Sequence, residues 1–422
     1  MPTAKGKEKQ RSRVPATVDQ RGRVAEGHWS VPVVLAIAAA FIFWLTTNPR
    51  HQHFDYTYRI ATAMLHGHVG FVSQPPMWLN EMVPENGHFY SVFPLGAVLS
   101  MLPVAVLSAL GLFHDFPGGV VAAILAGLCV YAFYQLSAVE PISTPRRILL
   151  ALFPIFGTWS WCNLGFAGAW QLALGFALLG GAGALYFTLV RPRPLLAGAC
   201  FALAFGNRSE ILLTAPILMF WWFFRIAPQH SKQITVRDRW LRLSYFVAVP
   251  FVLGVATMAY NFVRFGSVFD FGYARIPNLT AEPWYRHGLF SVYAIPWNVY
   301  KMLFEGMDDI STFPYLQPHA FGCSIFIASP FLFLFFRENG RWRGAAWLAI
   351  GLLTLALWCH GNPGGWQFSY RYAMVLLPWM FLLVASNGPR KWSNIEVILL
   401  VVSVAINAVA VYGFLWTDKI HP

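Results

Sequence analysis

Long apolar runs alternate with short polar segments along most of the chain. Runs of about 20 apolar residues recur, and each is long enough to cross a bilayer as an α-helix. The pattern predicts an all-α, polytopic integral membrane protein with about eleven transmembrane helices. The predicted spans are 31–48, 92–112, 118–137, 147–163, 169–190, 195–224, 241–262, 321–336, 344–359, 372–387 and 395–416.

Two of the polar segments are far longer than the others, at 49–91 and 263–320. Loops of this length in a compact protein are usually functional. The chain is therefore predicted to have four parts. They are a basic tail (1–30), a transmembrane part with the first loop (31–262), the second loop (263–320) and C-terminal transmembrane helices (321–422).

The composition supports a membrane protein and excludes other classes. Of the 422 residues, 57% are hydrophobic and only 11% are charged, whereas a soluble chain carries about 25% charged residues. The 37 Phe, 18 Trp and 16 Tyr exclude general disorder. The five cysteines are scattered singly through apolar stretches, so neither a disulfide framework nor a zinc site is expected.

The net charge of +12 comes from basic loops, so no nucleic-acid partner is expected. Segments 1–30, 225–242, 337–343 and 390–391 carry 17 of the 30 basic residues. The positive-inside rule places them, and the N-terminus, in the cytoplasm, and the tail is expected to rest on anionic lipid. Both long loops then lie outside, and a bacterial host would hold the protein in its plasma (inner) membrane.

Two features fit this topology poorly. Arg146, Arg147, Arg191 and Arg193 fall on the outer side, opposite to the other basic loops. Residues 195–224 are too long for one straight span. A helix break near Gly206-Asn207 is expected, which shifts the count by one or two.

Asp55 is the candidate catalytic residue of the first loop, because it follows the first helix within a few residues. A carboxylate at the membrane surface could accept a proton from a hydroxyl acceptor. The alternative is a solvated loop acid. Residues 60–67, further along, have the pattern of a helix that lies at the interface.

Charged residues inside or next to apolar spans are candidates for substrate binding, because intramembrane charge is costly unless paired or hydrated. Arg208 could hold a phosphate, or it could simply pair with Glu210. Arg371, followed by Tyr372, suits a phosphate or a sugar, and its alternative is snorkelling at a helix end. The pair Asp308-Asp309 is weak evidence for a cation site, and no metal is predicted.

The order of these features resembles the C-type glycosyltransferase superfamily, specifically enzymes related to protein O-mannosyltransferases and bacterial lipid A aminoarabinose transferases. The resemblance spans residues 31 to about 387, with seven spans before the second loop. Its carriers are His53-Phe54-Asp55, Gly87-His88-Phe89-Tyr90-Ser91 with Pro94, Asn261 with Phe265-Gly266-Ser267 and Gly272-Tyr273, and Gly364-Gly365-Trp366 with Tyr370-Arg371-Tyr372 and Pro378.

The resemblance implies an inverting hexosyl- or pentosyltransferase of the cell envelope. It would move a sugar from a polyprenyl-phosphate donor to a hydroxyl of a protein, lipid or glycan at the outer membrane face. Asp55 matches the general base, whereas a second acid common in relatives is replaced by Tyr56. Arg208 and Arg371 match basic positions near the donor phosphate. Tyr372, His53, Tyr90 and Lys301 are further candidates for substrate binding, and neither a metal nor another cofactor is implied.

Two other functions stay open. A flippase or transporter for a polyprenyl-linked sugar would share the phosphate site but would not need Asp55, and it usually shows repeated broken helices. A glycan polymerase or ligase would use a similar donor. The sequence has no Walker loop, so nothing indicates transport driven by ATP.

Overall fold

The computed structural model describes residues 30–48, 54–79, 81–225, 235–313, 315–337, 340–417 and 419–420. These residues are mostly helical, in agreement with the predicted all-α class. Their α-helices are α1 (Ser30–Thr46), α2 (Tyr56–Leu65), α3 (Leu95–Ala109), α4 (Gly118–Leu136), α5 (Thr144–Phe156), α6 (Ser160–Gly165), α7 (Ala169–Leu189), α8 (Pro194–Asn207), α9 (Ala215–Phe220), α10 (Val236–Phe265), α11 (Ile295–Val299), α12 (Ile325–Ala328), α13 (Arg343–Cys359), α14 (Leu377–Asn387) and α15 (Asn394–Leu415).

Four helical stretches of the described residues are long and apolar enough to cross a membrane: Gly118–Val139, Ala169–Leu189, Val236–Phe265 and Asn394–Leu415. Shorter apolar helices include α1, α3, α8 and α13. Much of α10 and α15 is exposed, with large apolar side chains such as Phe251, Val252 and Tyr412 on the surface. Apolar exposure of this extent is compatible with a membrane protein whose helices face lipid.

Two short hairpins lie in the loops. The first pairs β1 (Met82–Glu85) with β2 (His88–Ser91), and the second pairs β3 (Asp308–Asp309) with β4 (Leu316–Gln317). Asn86 and Gly87 form the first turn with positive φ values of 48° and 76°. Such values favour asparagine and glycine, the two residues found at this turn.

The helix ends meet in two groups, which define two ends of the bundle. At one end, the Asn48 side chain after α1 donates to the carbonyl of Leu415 in α15 (2.7 Å). The Trp416 indole donates to the carbonyl of Thr46 (2.8 Å) at the same place. We call this the loop end, because the first loop follows α1 there.

The opposite end holds the basic segments, and we call it the basic end. Arg146, at the start of α5, forms a fully buried ion pair with Glu396 at the start of α15 (3.0 Å). Arg337 binds the same carboxylate (3.0 Å), and the Ser143 N–H donates to the carbonyl of Arg390 (2.8 Å). The prediction that Arg146 and Arg147 lie opposite to the other basic loops is therefore wrong.

The prediction for Arg191 and Arg193 is wrong for the same reason. Both line a cavity with Arg225, Arg242 and Arg341, which belong to loops predicted to be cytoplasmic. The basic loops of the described residues thus gather at one end of the bundle.

Both wrong predictions have one cause: α3 was counted as a membrane span, but it does not run between the two ends. Counting it as a span reversed the predicted direction of the helices that follow it. The Tyr58 hydroxyl of α2 donates to Ser108 near the end of α3 (2.9 Å). Phe93, just before α3, packs on Tyr56 with ring centroids 5.6 Å apart. Both ends of α3 therefore contact the first loop, and the predicted span 92–112 is wrong.

The predicted break after Gly206 is confirmed, because α8 ends at Asn207 and Arg208 is extended. The chain then turns back through a 3₁₀ segment (Ser209–Thr214), α9 and a π-helical turn (Trp221–Arg225), which reaches the basic end. Residues 195–224 thus form two segments where one span was predicted. The additional segment reverses the direction of the chain once more. The segments after Arg225 therefore keep the directions that were predicted for them, although α3 does not run between the two ends.

Close packing fixes the position of the break. A Cβ atom on Gly96 of α3 would lie 2.5 Å from the backbone of Gly206, so the two backbones touch. The Asn207 side chain also donates to Ser100 of α3 (2.9 Å). These contacts hold Arg208, the next residue, at the loop end.

Candidate functional site

The two long loops dock onto each other at the loop end. Arg275 of the second loop pairs with Glu85 of the first loop (3.0 Å) and with Asp270 (2.8 Å). Residues of both loops also share a separate apolar cluster. Its members are Val83, Tyr90, Val92, Phe265, Ile276, Leu279 and Tyr285.

Tyr90, a predicted substrate-binding residue, belongs to this cluster. Its ring stacks on His88 (6.0 Å) and meets the edge of Phe265 (5.8 Å). These contacts give Tyr90 a packing role where the two loops meet.

Arg264, which was not predicted from the sequence as a site residue, connects the end of α10 to the first loop. Its side chain is buried, and it donates to the carbonyl of Ser91 and to Asn261 Oδ1 (2.7 Å). The guanidinium lies 3.8 Å from the ring centroid of Tyr260. Arg264 therefore fixes the hairpin that leads into the candidate site.

Two of the predicted phosphate-binding residues converge on one aromatic ring. The guanidinium carbons of Arg208 and Arg371 lie 4.8 Å and 5.2 Å from the ring centroid of Tyr372. Arg208 also forms an ion pair with Glu210 (2.8 Å), which was the alternative role considered from the sequence. Arg208 therefore makes both contacts. The two cations reach this ring from the helix break and from the start of the segment that leads into α14.

Glu81 is the acidic member of this site and was missed from the sequence. Its Oε2 is buried without a hydrogen-bond partner among the described residues, and the same holds for Nε of Arg371. Burial raises the pKa of Glu81 to about 7, whereas the nearby Arg371 and a hydrogen bond with Trp170 act to lower it. Nothing in the sequence separates Glu81 from the other loop acids.

His360 borders Tyr372 and was also missed. Its ring centroid lies 5.6 Å from that of Tyr372, 6.4 Å from Tyr273 and 6.3 Å from Tyr285. Burial lowers the pKa of His360, which favours the neutral ring. Nδ1 lies 2.7 Å from the carbonyl oxygen of Asn362, an acceptor, so Nδ1 carries the proton and Nε2 is left as an acceptor.

Asp55 lies next to a second cavity of about 350 Å³. Its side chain is 8% exposed and accepts a hydrogen bond from Arg59 Nε (2.8 Å). The cavity is lined by residues of α2, of the first loop and of the turn before α4: Asp55, Tyr58, Arg59, Thr62, Phe71, Ser73, Gln74, Pro75, Pro76, His114, Asp115 and Phe116.

A short chain of contacts connects Asp55 to the arginine site. Phe54, its neighbour, accepts a backbone hydrogen bond from Ala169 at the start of α7 (2.7 Å). Trp170, the next residue of α7, reaches Glu81. The Asp55 cavity and the Arg208–Arg371 site are therefore linked through the first turn of α7.

The remaining predicted residues have other partners or lie outside the described residues. Lys301 is buried, forms an ion pair with Glu305, and lies 5.7 Å from the ring centroid of Trp297. His53 lies outside the described residues. Asp308 pairs with His319 (2.9 Å) at the exposed second hairpin.

No group of three or more potential metal ligands occurs within the described ranges. The arrangement offers two cations on one aromatic ring, a carboxyl group and a neutral imidazole beside them, and a second carboxylate in a neighbouring cavity. Two guanidinium groups suit a phosphate, and carboxylates suit proton transfer.

Searches of protein-family models, of curated proteins and of solved structures found no match to this chain.

Proposed function

We propose that the protein is an inverting membrane glycosyltransferase that moves a sugar from a polyprenyl-phosphate donor to a hydroxyl acceptor. The observation that carries the proposal is the convergence of Arg208 and Arg371 on Tyr372. Two cations on a buried ring form a site for a phosphate group whose charge develops as the sugar leaves.

The proposed topology has eleven membrane crossings. They are α1, α4, α5 with α6, α7, α8, residues 209–225, α10, residues 325–336, α13, residues 371–387 and α15. The basic end lies in the cytoplasm by the positive-inside rule, so the candidate site faces outward. Helices α2 and α3 then lie along the outer interface.

In the proposed reaction, the acceptor oxygen forms a bond to the anomeric carbon while the bond from that carbon to the phosphate oxygen breaks. The acceptor proton passes to Asp55, and the bonding electrons leave with polyprenyl phosphate. Arg208 and Arg371 stabilise that leaving group. Attack and departure on opposite faces of the sugar invert the anomeric centre.

The position of Asp55 supports this division of roles. Its cavity is linked to the arginine site through the start of α7, and the reaction requires that a sugar whose phosphate is held by the two arginines reach the Asp55 carboxylate there. The hydrogen bond from Arg59 orients the carboxylate within the cavity. Glu81 lies on the donor side, where its carboxylate, when ionised, offsets part of the positive charge that Arg371 presents to the phosphate.

The test is an assay of purified protein in lipid nanodiscs with a panel of polyprenyl-phosphate sugars and hydroxyl acceptors. Mass spectrometry would follow release of polyprenyl phosphate and formation of the glycoside. We expect turnover of one donor, abolished by Arg208→Gln with Arg371→Gln. Binding of a donor without release, together with its movement between leaflets in proteoliposomes, would refute the transferase and establish a flippase. Extension of a lipid-linked glycan would identify a polymerase or ligase.

A further inference from the structure

A large cavity at the basic end is separate from the candidate site. It has a volume of about 1150 Å³ and lies between the turn from α7 to α8, the end of α9, α10 and the start of α13. Five arginines line it: Arg191, Arg193, Arg225, Arg242 and Arg341. They come from four separate segments of the chain, so the fold alone brings them together.

The charge of this cavity is strongly positive. None of its lining residues is acidic among the described part of the chain. Two carboxylates act on its arginines from nearby: Glu140 on Arg341, and Asp238 on Arg242. These two acids leave a large excess of positive charge, which suits a phosphate-bearing ligand.

The other part of the lining is apolar. Phe220 and Leu348 are 48% and 54% exposed, and Ile217 lies beside them. Trp221 and Trp342 also belong to the lining, and their rings pack edge to face at 5.4 Å. Arginines beside apolar side chains and tryptophans match the headgroup and the upper acyl chains of a phospholipid.

We infer that this cavity binds the phosphate headgroup of an anionic glycerophospholipid, with an acyl chain against Phe220 and Leu348. Basic pockets between transmembrane helices are suited to such headgroups. The apolar wall favours a lipid over free phosphate, because a soluble anion would gain nothing from it. The inference does not depend on the transferase reaction.

The test is native mass spectrometry of the full-length protein in detergent with phosphatidylglycerol, cardiolipin and phosphatidylcholine. The triple variant Arg191→Gln/Arg193→Gln/Arg341→Gln removes three lining cations. The matched control, Arg237→Gln/Arg239→Gln/Arg390→Gln, loses the same charge at the same end but outside the lining. We expect the lining variant to bind the anionic lipids at least tenfold more weakly, and the control to change less than twofold.

A second variant, Phe220→Gln/Leu348→Gln, separates a lipid from free phosphate. This variant should bind phosphatidylglycerol more weakly, whereas the ability of inorganic phosphate to compete for the cavity should stay unchanged. Equal losses in the lining variant and its control would show non-specific attraction and overturn the inference. Unchanged lipid binding in the apolar variant, with full displacement by inorganic phosphate, would overturn it in favour of a phosphate site. Elution volume and thermal midpoint would confirm that each variant is folded.

Discussion

The guanidinium group of Arg208 lies against the ring of Tyr372, 4.8 Å from its centroid. Arg208 follows the break in α8, whereas Tyr372 stands near the start of the segment that leads into α14. Arg371 approaches the same ring, so Tyr372 contacts two cations that are far apart in the sequence. In the proposed function, this ring would hold both arginines at the donor phosphate.

Replacing Tyr372 with leucine should weaken binding of a polyprenyl-phosphate donor. A desolvated cation–π contact is worth about 2 kcal/mol, so the loss is expected to be roughly tenfold to thirtyfold. Tyr372→Phe should keep most of the affinity, because the ring remains. Tyr412 is 64% exposed on the surface of α15 and provides the control Tyr412→Leu. Donor titration in nanodiscs measures the effect, and equal affinity of the two leucine variants would contradict it.

Asp55→Asn should abolish glycosyl transfer while leaving donor affinity within about twofold. The reason is that the amide cannot accept the acceptor proton, a contribution typically worth 10²–10⁴-fold in rate. Asp115→Asn is the matched control, because Asp115 lines the same cavity. Release of polyprenyl phosphate in single-turnover experiments gives the rate. Full activity of Asp55→Asn would show that Asp55 is not the general base, and Glu81 would be the next candidate.

Glu81 should make donor binding depend on pH. Its pKa of about 7 means that it is neutral below pH 7 and leaves the charge of Arg371 free for the donor phosphate. Above pH 7 the carboxylate competes for Arg371, so donor affinity should fall as pH rises from 6 to 8. Glu81→Gln should remove this dependence, whereas Glu85→Gln should keep it.

The same carboxyl group should affect stability, with a sign that follows from linkage. Burial raises the pKa of Glu81 from 4.5, so the folded protein binds the carboxyl proton more tightly than the unfolded chain does. The free energy of unfolding therefore falls as pH rises from 4.5 to 7. Glu81→Gln should therefore raise the thermal midpoint at pH 8 and change it little at pH 4.5. A uniform shift at both values would contradict the raised pKa.

The position of α3 can be tested by labelling with a membrane-impermeant maleimide. In a variant without the five native cysteines, Asp115→Cys should react from outside and Arg191→Cys should react only from inside. A span at 92–112 requires the opposite result for both positions. Labelling of intact cells and of inverted vesicles distinguishes the two topologies, with Arg390→Cys as an inside reference.

The buried pair of Arg146 and Glu396 should be essential for stability. Removing Arg146 leaves the buried Glu396 with Arg337 as its remaining cation and takes a donor from the carbonyls of Val384 and Ala385. Arg146→Met should therefore cost about 3–5 kcal/mol and lower the thermal midpoint strongly. The exposed Arg390→Met is the control. The double variant Arg146→Met/Glu396→Gln should recover part of the loss. A midpoint like that of the control would show that the pair contributes nothing.

The sequence by itself determined the helical class, the places of most helices and the break after Gly206. These features depend on local properties, because a bilayer demands long apolar segments with satisfied backbones wherever they occur. It also singled out Arg208, Arg371 and Tyr372, since charges and polar aromatics next to apolar spans are conspicuous.

Only the tertiary structure decided which segments run between the two ends. An apolar helix such as α3 has the composition of a span. Contacts of Phe93 with Tyr56 and of Ser108 with Tyr58 place both of its ends against the first loop. The structure also pairs Asp55 with Arg59, places Tyr90 in an apolar cluster and pairs Lys301 with Glu305. It adds Glu81 near Arg371 and His360 beside Tyr372. Their roles depend on burial and on neighbours distant in sequence, and neither of these is encoded in local pattern.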